Sequence, residues 1–266
     1  MKKLITTIAA ILAGVSCFSF AACNEKKTVT IGYTDYAPMN YTNDKGELVG
    51  FDTELAKKAF GDLGYEVRFK LINWDNKYME VNSGTIDCIW NGFTANCADA
   101  DGVERSDKVD FSYYYMTNAQ CVIRLSSSAE LTSSSEFVEK SVAYESGSAG
   151  DSYVSAVTGN INKKPVSSQM DAVREVNAGT AQYAVIDLLL AKSLVGQNDY
   201  KNIVINEGIV IDAEYYAIGF KKDSELTSKI NEKLVAYAES GYLAQLAEKY
   251  DLSNQVITDY SDQITD

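Results

Sequence analysis

The chain has 266 residues, of which 46% are hydrophobic, 11% aromatic and 23% charged, the make-up of a folded, core-forming protein of one large domain or two modest ones. It contains no histidine, which excludes Ser-His-Asp and Cys-His nucleophile schemes, His-ligated zinc and any imidazole acid–base step. With 24 basic against 37 acidic residues, a net charge of −13 and a pI near 4.5, it lacks the basic footprint a nucleic-acid partner needs.

Met1-Lys2-Lys3 is a short basic start, followed by an apolar run from Leu4 to Val15 that is too short to span a bilayer. Residues 1–22 therefore read as a signal peptide. Phe20-Ala21-Ala22-Cys23, with polar Asn24-Glu25-Lys26-Lys27 behind it, resembles the lipobox of bacterial lipoproteins, although Phe20 stands where Leu is usual. The resemblance implies lipidation of Cys23, a linker over 23–27 and a protein anchored to the outer face of the cell membrane. A soluble form cut near Ala22 is the alternative. Loss of Lys2 and Lys3 takes the net charge from −13 to −15. Three cysteines remain in the folded part, Cys88, Cys97 and Cys121, allowing one disulfide and a thiol or three thiols. None has C-x-x-C spacing, so neither metal nor redox chemistry is indicated.

Along the chain, Thr28 to Gly32 alternates as a strand. Phe51 to Leu63 has helical spacing and stops at Gly64, and Tyr65 to Ile72 returns to strand. Lys77 to Asn82 reads as a helix closed by Gly84, and Ile86 to Trp90 as a buried strand. Alternating strands and helices predict an α/β fold with parallel sheets. The pattern then echoes itself. Val81-Asn82-Ser83-Gly84-Thr85 precedes one apolar strand, and Val176-Asn177-Ala178-Gly179-Thr180 precedes another, Tyr183 to Ile186. Each pairs a glycine helix stop with a buried strand whose carboxyl end is polar: Asn91-Gly92-Phe93-Thr94 in one, Asp187 in the other. Open parallel sheets bind ligands at those ends, so two such units facing each other imply a cleft.

Several segments in order resemble the polar amino-acid family of extracellular solute-binding proteins that feed ABC importers. They are Val29-Thr30-Ile31-Gly32 with Tyr36-Ala37-Pro38-Met39, Gly46-Glu47-Leu48-Val49-Gly50-Phe51-Asp52, Ser83-Gly84-Thr85-Ile86-Asp87, Val109-Asp110-Phe111-Ser112, and Gly241-Tyr242 through Glu248-Lys249-Tyr250. The similarity covers roughly Val29 to Tyr250. It implies a two-lobed, hinged, periplasmic-binding-protein-like (type II) clamp, each lobe a mostly parallel sheet flanked by helices. Lobe 1 is expected to take residues 28–117 and 213–266, and lobe 2 residues 118–212. Hinge crossings are expected near 117–120 and 208–212.

The resemblance also assigns the site. Arg105, by its spacing to Val109-Asp110-Phe111-Ser112, matches the family's carboxylate-binding Arg; a planar fork of donors suits a carboxylate. The gap from Thr94 to Arg105 is longer than the family's, so an insertion within Ala95 to Glu104, carrying Cys97, Asp99 and Asp101, has to loop out for that role to survive. A surface Arg paired with a local acid is the plainer alternative. Thr94 is the matching hydroxyl, and Ser148 with the N–H groups of Ala149 and Gly150 completes the carboxylate site at a helix start. Ser148 also suits a helix N-cap. Asp187 matches the ammonium-binding Asp, or else caps the helix Leu188 to Leu194. Backbone carbonyls of Asn91 or Gly92 offer a second acceptor. Tyr36 and Trp74 match the aromatic walls around the ligand side chain, though either could be core. Tyr33, Trp90 and Glu145 are weaker pocket neighbours, and Tyr113-Tyr114-Tyr115 is expected beside the hinge.

The function implied is capture of a free L-amino acid by lobe closure and delivery to an ABC permease, with no cofactor, no metal and no catalysis, by a monomer. An enzyme on the same scaffold, such as a cyclohexadienyl dehydratase, would need an acid or base, for which Glu145 is the candidate. A sensor module would need an output domain. Glu145, Asp212 and Glu214, with the acidic surface, favour a cationic or neutral ligand over a dicarboxylic one.

Overall fold

The computed structural model describes residues 27–264; the signal peptide and Cys23 lie outside them. Alternating burial makes β1 (Thr28–Tyr33) a strand with Val29 and Ile31 inward. It is followed by the small hairpin β2 (Tyr41–Thr42) and β3 (Leu48–Val49), then by α1 (Phe51–Asp62), which buries Leu55, Ala56, Ala59 and Phe60 on one face. β4 (Glu66–Leu71), α2 (Lys77–Asn82) and β5 (Cys88–Thr94) complete the first strand–helix series. The short α3 (Arg105–Lys108) and β6 (Asp110–Phe111) lead to β7 (Met116–Leu125). A second series follows: β8 (Ser141–Glu145), α4 (Ala149–Ala156), β9 (Asn162–Val166), α5 (Gln169–Asn177), β10 (Tyr183–Asp187) and α6 (Leu188–Leu194). β11 (Ile203–Ile205), β12 (Ala213–Phe220), α7 (Glu225–Glu239) and α8 (Tyr242–Lys249) end it.

The strands run in the order β4-β1-β5-β12-β7-β10-β8-β9, with β6 on β12 and β11 on β7. Pairing is parallel among β4, β1 and β5 and among β10, β8 and β9, and antiparallel around the two middle strands. The middle strands tie one half-sheet to the other. β7 is unbroken: Met116–Ala119 pairs with the start of β12, and Gln120–Arg124 pairs with β10. The predicted echo is real at the backbone. Thr85 N–H reaches Glu80 O and Gly84 N–H reaches Val81 O, at 2.9 and 3.2 Å. Thr180 N–H reaches Glu175 O and Gly179 N–H reaches Val176 O, both at 3.0 Å. Gly84 and Gly179 have φ of 74° and 72°, the left-handed residue of a Schellman stop.

One boundary differs from the sequence pattern. The strand expected over Ile86 to Trp90 starts at Cys88 and continues through Thr94, with every residue buried. Polar Asn91 does not end it because its amide is fully bonded inside the fold. Oδ1 accepts from Thr34 N and Oγ1 at 2.9 and 2.7 Å, and Nδ2 donates to Thr34 O and Asn40 Oδ1 at 2.9 and 2.8 Å. Cys88, Cys97 and Cys121 are unbridged thiols, the first and last buried. The tyrosine run packs away from the cleft: Tyr115 against Phe51 and Asp52, Tyr114 on Tyr215, and Tyr113 on Tyr260.

Candidate binding cleft between the half-sheets

The carboxyl ends of β5 and β10 face each other across a narrow cleft. Thr34, Tyr36, Trp74, Asn91, Gly92, Thr94 and Arg105 line one wall; Glu145, Ser148, Ala149, Gln169 and Asp187 line the other. They leave about 280 Å³ free of atoms, of which only about 10 Å³ can take the centre of a water molecule. The space between the walls admits little more than a water molecule.

Gly92 sets the depth of the first wall. Its φ is 58°, and a Cβ there would lie 2.6 Å from the Tyr36 ring and 2.9 Å from that of Tyr216. Those two rings meet edge to face with their hydroxyls 2.7 Å apart. Behind Gly92, buried Asp52 accepts from Gly92 N and from the Tyr115 hydroxyl, at 2.8 and 2.9 Å. Burial raises the Asp52 carboxyl to about 7, against the pull of those bonds.

Arg105 is 1% exposed, with its guanidinium 5.2 Å from the Phe93 ring centre. Nε donates to Asp99 at 2.8 Å, Nη1 to Thr94 O at 3.0 Å, and Nη2 across the cleft to Gly147 O at 3.3 Å. The segment expected to loop out does so only in part. It forms a tight reversal, with Asp99 N bonded to Val103 O, and returns Asp99 onto the arginine. Lys77, which sequence reasoning passed over, is the second cation here. It is 1% exposed among the rings of Trp74, Tyr78 and Phe93. Its Nζ also donates to Gly147 O, at 2.8 Å. Burial first, and Arg105 second, lower the Lys77 ammonium to about 7.

The opposite wall is acidic. Asp187 opens α6, yet its side chain makes no cap bond; it receives the amides of Gln120 and Gln169, the latter at 2.8 Å. The Gln120 amide also reaches Glu214 at 2.9 Å, so two buried carboxyls share one donor. Burial and the Asp187 charge raise Glu214 to about 7, and burial raises Asp187 despite its amide donors. Glu145, 2% exposed, has no hydrogen-bond partner on Oε1. Burial and the Asp187 charge push it to about 8, more than Lys77 and Arg105 pull it down. Ser148 serves as N-cap of α4, Oγ accepting from Asp151 N at 3.1 Å, which leaves its hydroxyl proton free to donate.

The structure thus brings together Tyr36, Trp74, Asn91, Gly92, Thr94, Arg105, Glu145, Ser148, Ala149 and Asp187. Tyr33 and Trp90 lie elsewhere. Tyr33 ends β1 with its ring edge-on to Phe69, and the next residue, Thr34, takes the cleft position because side chains alternate along a strand. Trp90 points into the core against Phe60 and Tyr115. Gln169, unforeseen, begins a helix directly after β9, a placement readable from Ser168-Gln169-Met170-Asp171 as a helix start at a sheet edge.

Two strand–helix half-sheets, joined by paired crossing strands and closing on buried charged groups, define a clamp that holds a solute. The model of the bacterial extracellular solute-binding proteins, family 3, matches residues 29–253. The chain belongs to that family; it is a binding protein and not an enzyme. The arginine-binding extracellular protein ArtP of Bacillus subtilis (strain 168) is 28% identical over 264 residues, 94% of this chain and 98% of ArtP. An ancestral arginine-binding protein, solved bound to arginine and bound to glutamine, matches with a TM-score of 0.77 at 29% identity, over 84% of this chain and 97% of its own. An ABC uptake transporter substrate-binding protein from Streptococcus pneumoniae with bound histidine matches with a TM-score of 0.74 at 27% identity, over 84% and 92%.

Proposed function

We propose that this protein captures a free L-amino acid with a cationic side chain and delivers it to the permease of an ABC importer. The α-carboxylate is received by Arg105, Thr94, Ser148 and the first N–H groups of α4, and the α-ammonium by Asp187. These groups account for a zwitterion. The observation that carries the cationic side chain is what is left over: Glu145, buried in the cleft with an unpartnered oxygen and raised by burial and by the charge of Asp187, which in turn raises Glu214 behind it. Raised carboxyls mark a place short of positive charge, and a second cation on the ligand would supply it. Trp74 and Tyr36 offer ring faces to the aliphatic or cationic part of such a side chain. The names of the relatives, which include arginine and histidine binders, agree with this reading.

Lobe 1 on this reading is residues 28–117 with 213–266, and lobe 2 is 118–212, hinged where β7 and β12 pair. Closure brings Gly147 onto Arg105 and Lys77. The protein works as a monomer held at the membrane by lipid on Cys23; Cys23→Ser should release it from the membrane fraction with unchanged ligand affinity. The ligand is tested by thermal shift across the twenty amino acids. A ligand binding only the folded clamp adds RT ln(1 + [L]/Kd), about 2.7 kcal/mol at a hundredfold excess over Kd. Arginine, lysine or histidine should give the largest rise. A larger response to glutamate, or to a sugar, would defeat the assignment.

A further inference from the structure

We propose that Asp99, in the segment between Thr94 and Arg105, is a positioning residue that aims the Arg105 fork at the ligand carboxylate. This rests on the reading of Arg105 as the carboxylate receptor. A guanidinium can take both oxygens of a carboxylate along two edges, the Nε/Nη2 side or the Nη1/Nη2 end. Asp99 Oδ1 occupies Nε at 2.8 Å and so closes the first edge. Thr94 O takes one Nη1 proton at 3.0 Å, and the remaining end faces the cleft, where Gly147 O stands at Nη2.

Asp99 is itself held. Its Oδ2 accepts from Lys108 Nζ at 2.9 Å, and the same ammonium reaches Asp101 at 2.9 Å. Its backbone is pinned by bonds to Val103 and Gly102, and Arg105 N is tied to Cys97 O at 3.3 Å. The segment is thus a brace that begins and ends on the arginine it orients. The pair is nearly dry, with side chains 1% and 9% exposed. Burial alone would raise the Asp99 carboxyl, but Arg105, and after it Lys108, hold it below the ordinary carboxylate range. Asp99 is therefore an anion at neutral pH, fit to fix a guanidinium by charge and direction together.

Two measurements test this, on Asp99→Ala, Asp99→Asn, Arg105→Ala and the exposed control Asp101→Ala. The first needs no ligand. Four arginines are present, and Arg105 is the most buried of them. Its Nε–H should appear by NMR as a shifted, slowly exchanging signal that persists in Asp101→Ala, weakens in Asp99→Asn and is lost in Asp99→Ala. Persistence in a folded Asp99→Ala protein overturns the proposal. The second compares L-arginine with L-argininamide, which lacks the carboxylate charge. Asp99→Ala should weaken L-arginine about tenfold or more while changing the amide by less than about twofold, and Asp99→Asn should fall between, because its amide oxygen still accepts from Nε. A merely structural role would weaken both ligands alike and overturn the proposal. If Arg105→Ala binds L-arginine as the natural protein does, the carboxylate reading itself is wrong. If Arg105→Ala loses binding and Asp99→Ala does not, only the role of Asp99 is wrong.

Discussion

The α2–β5 and α5–β10 units share a backbone and differ in charge. Each helix ends on a left-handed glycine with the same two bonds, and each following strand is buried throughout and opens on the cleft. The β5 end carries neutral Asn91, Gly92 and Thr94, and the cations beside it, Arg105 and Lys77, come from outside the strand. The β10 end carries Asp187, with Glu145 added by the adjacent strand β8 and Glu214 by β12, which reaches Asp187 through the Gln120 amide of the intervening β7. The repeated scaffold therefore fixes where the strand ends meet, and side chains that the two units do not share, together with groups from other elements, decide which wall is positive and which negative. The cationic wall is satisfied, with carbonyls and ring faces around each cation and Asp99 on Arg105. The acidic wall is not, since its carboxyls are all raised and Glu145 has an oxygen without a partner.

That asymmetry predicts where substitution costs most. On the proposed reading, Arg105→Ala and Asp187→Ala each remove one partner of a desolvated charge contact with the ligand, an expected loss of about 2–5 kcal/mol, or thirtyfold and more in Kd by calorimetry. Retention of full affinity by either folded variant would sink its assigned role. Glu145→Gln keeps the size and removes the charge. It should weaken L-arginine about tenfold, roughly 1.4 kcal/mol, and leave L-glutamine nearly unchanged. Equal losses for the two ligands would place Glu145 outside the side-chain site.

The raised carboxyls, those of the acidic wall together with Asp52 behind the other, also predict opposite pH responses for the empty and the loaded protein. Glu145, Glu214 and Asp52 are raised to about 8, 7 and 7, so each holds a proton in the fold that the unfolded chain has already released. That stabilisation is full below the unfolded pKa and is lost as pH rises through the folded one. The empty protein should therefore melt several degrees lower at about pH 7 than at about pH 5, roughly 2–4 °C for each kcal/mol lost. No imidazole titrates in this window, and Lys77, lowered to about 7, adds its opposite slope only above it. L-arginine affinity should rise over the same interval, because the ligand's cation selects ionised carboxyls. A flat melting profile for the empty protein would show that the wall is already compensated.

The smallest effect is expected from the satisfied wall. Lys77 has no carboxylate within ion-pair distance among the described residues, and Met can fill its aromatic surroundings. Lys77→Met should leave the fold as stable or more so, by up to about 1–4 kcal/mol. It should also remove a link to Gly147 and enlarge the radius of gyration of the empty protein in solution scattering. An unchanged radius would mean that this bond does not hold the cleft shut.

Much of this was legible in the residues because it is local physics. Helical spacing and the glycine stops marked α1, α2 and the end of α5 closely, since a Schellman turn needs only a left-handed residue and its own helix. The polar ends of β5 and β10 pointed to the cleft because side-chain chemistry at the end of a buried strand is rarely neutral in meaning. What the sequence alone left undetermined was direction and partnership. Trp90 and Thr94 sit on one strand, and only packing against α1 sends the first to the core and leaves the second at the cleft. Tyr33 yields its place to Thr34 by a one-residue offset in the pleat. Lys77 reads as an ordinary solvated lysine until three rings and a carbonyl from the other half-sheet enclose it. Asp99 reads as one acid among many until the chain reverses and lays it on Arg105. Propensity and periodicity act over a few residues, whereas burial of a charge is decided by groups far apart in the chain; the elements were therefore readable from sequence, and the electrostatics of the cleft belong to the tertiary structure.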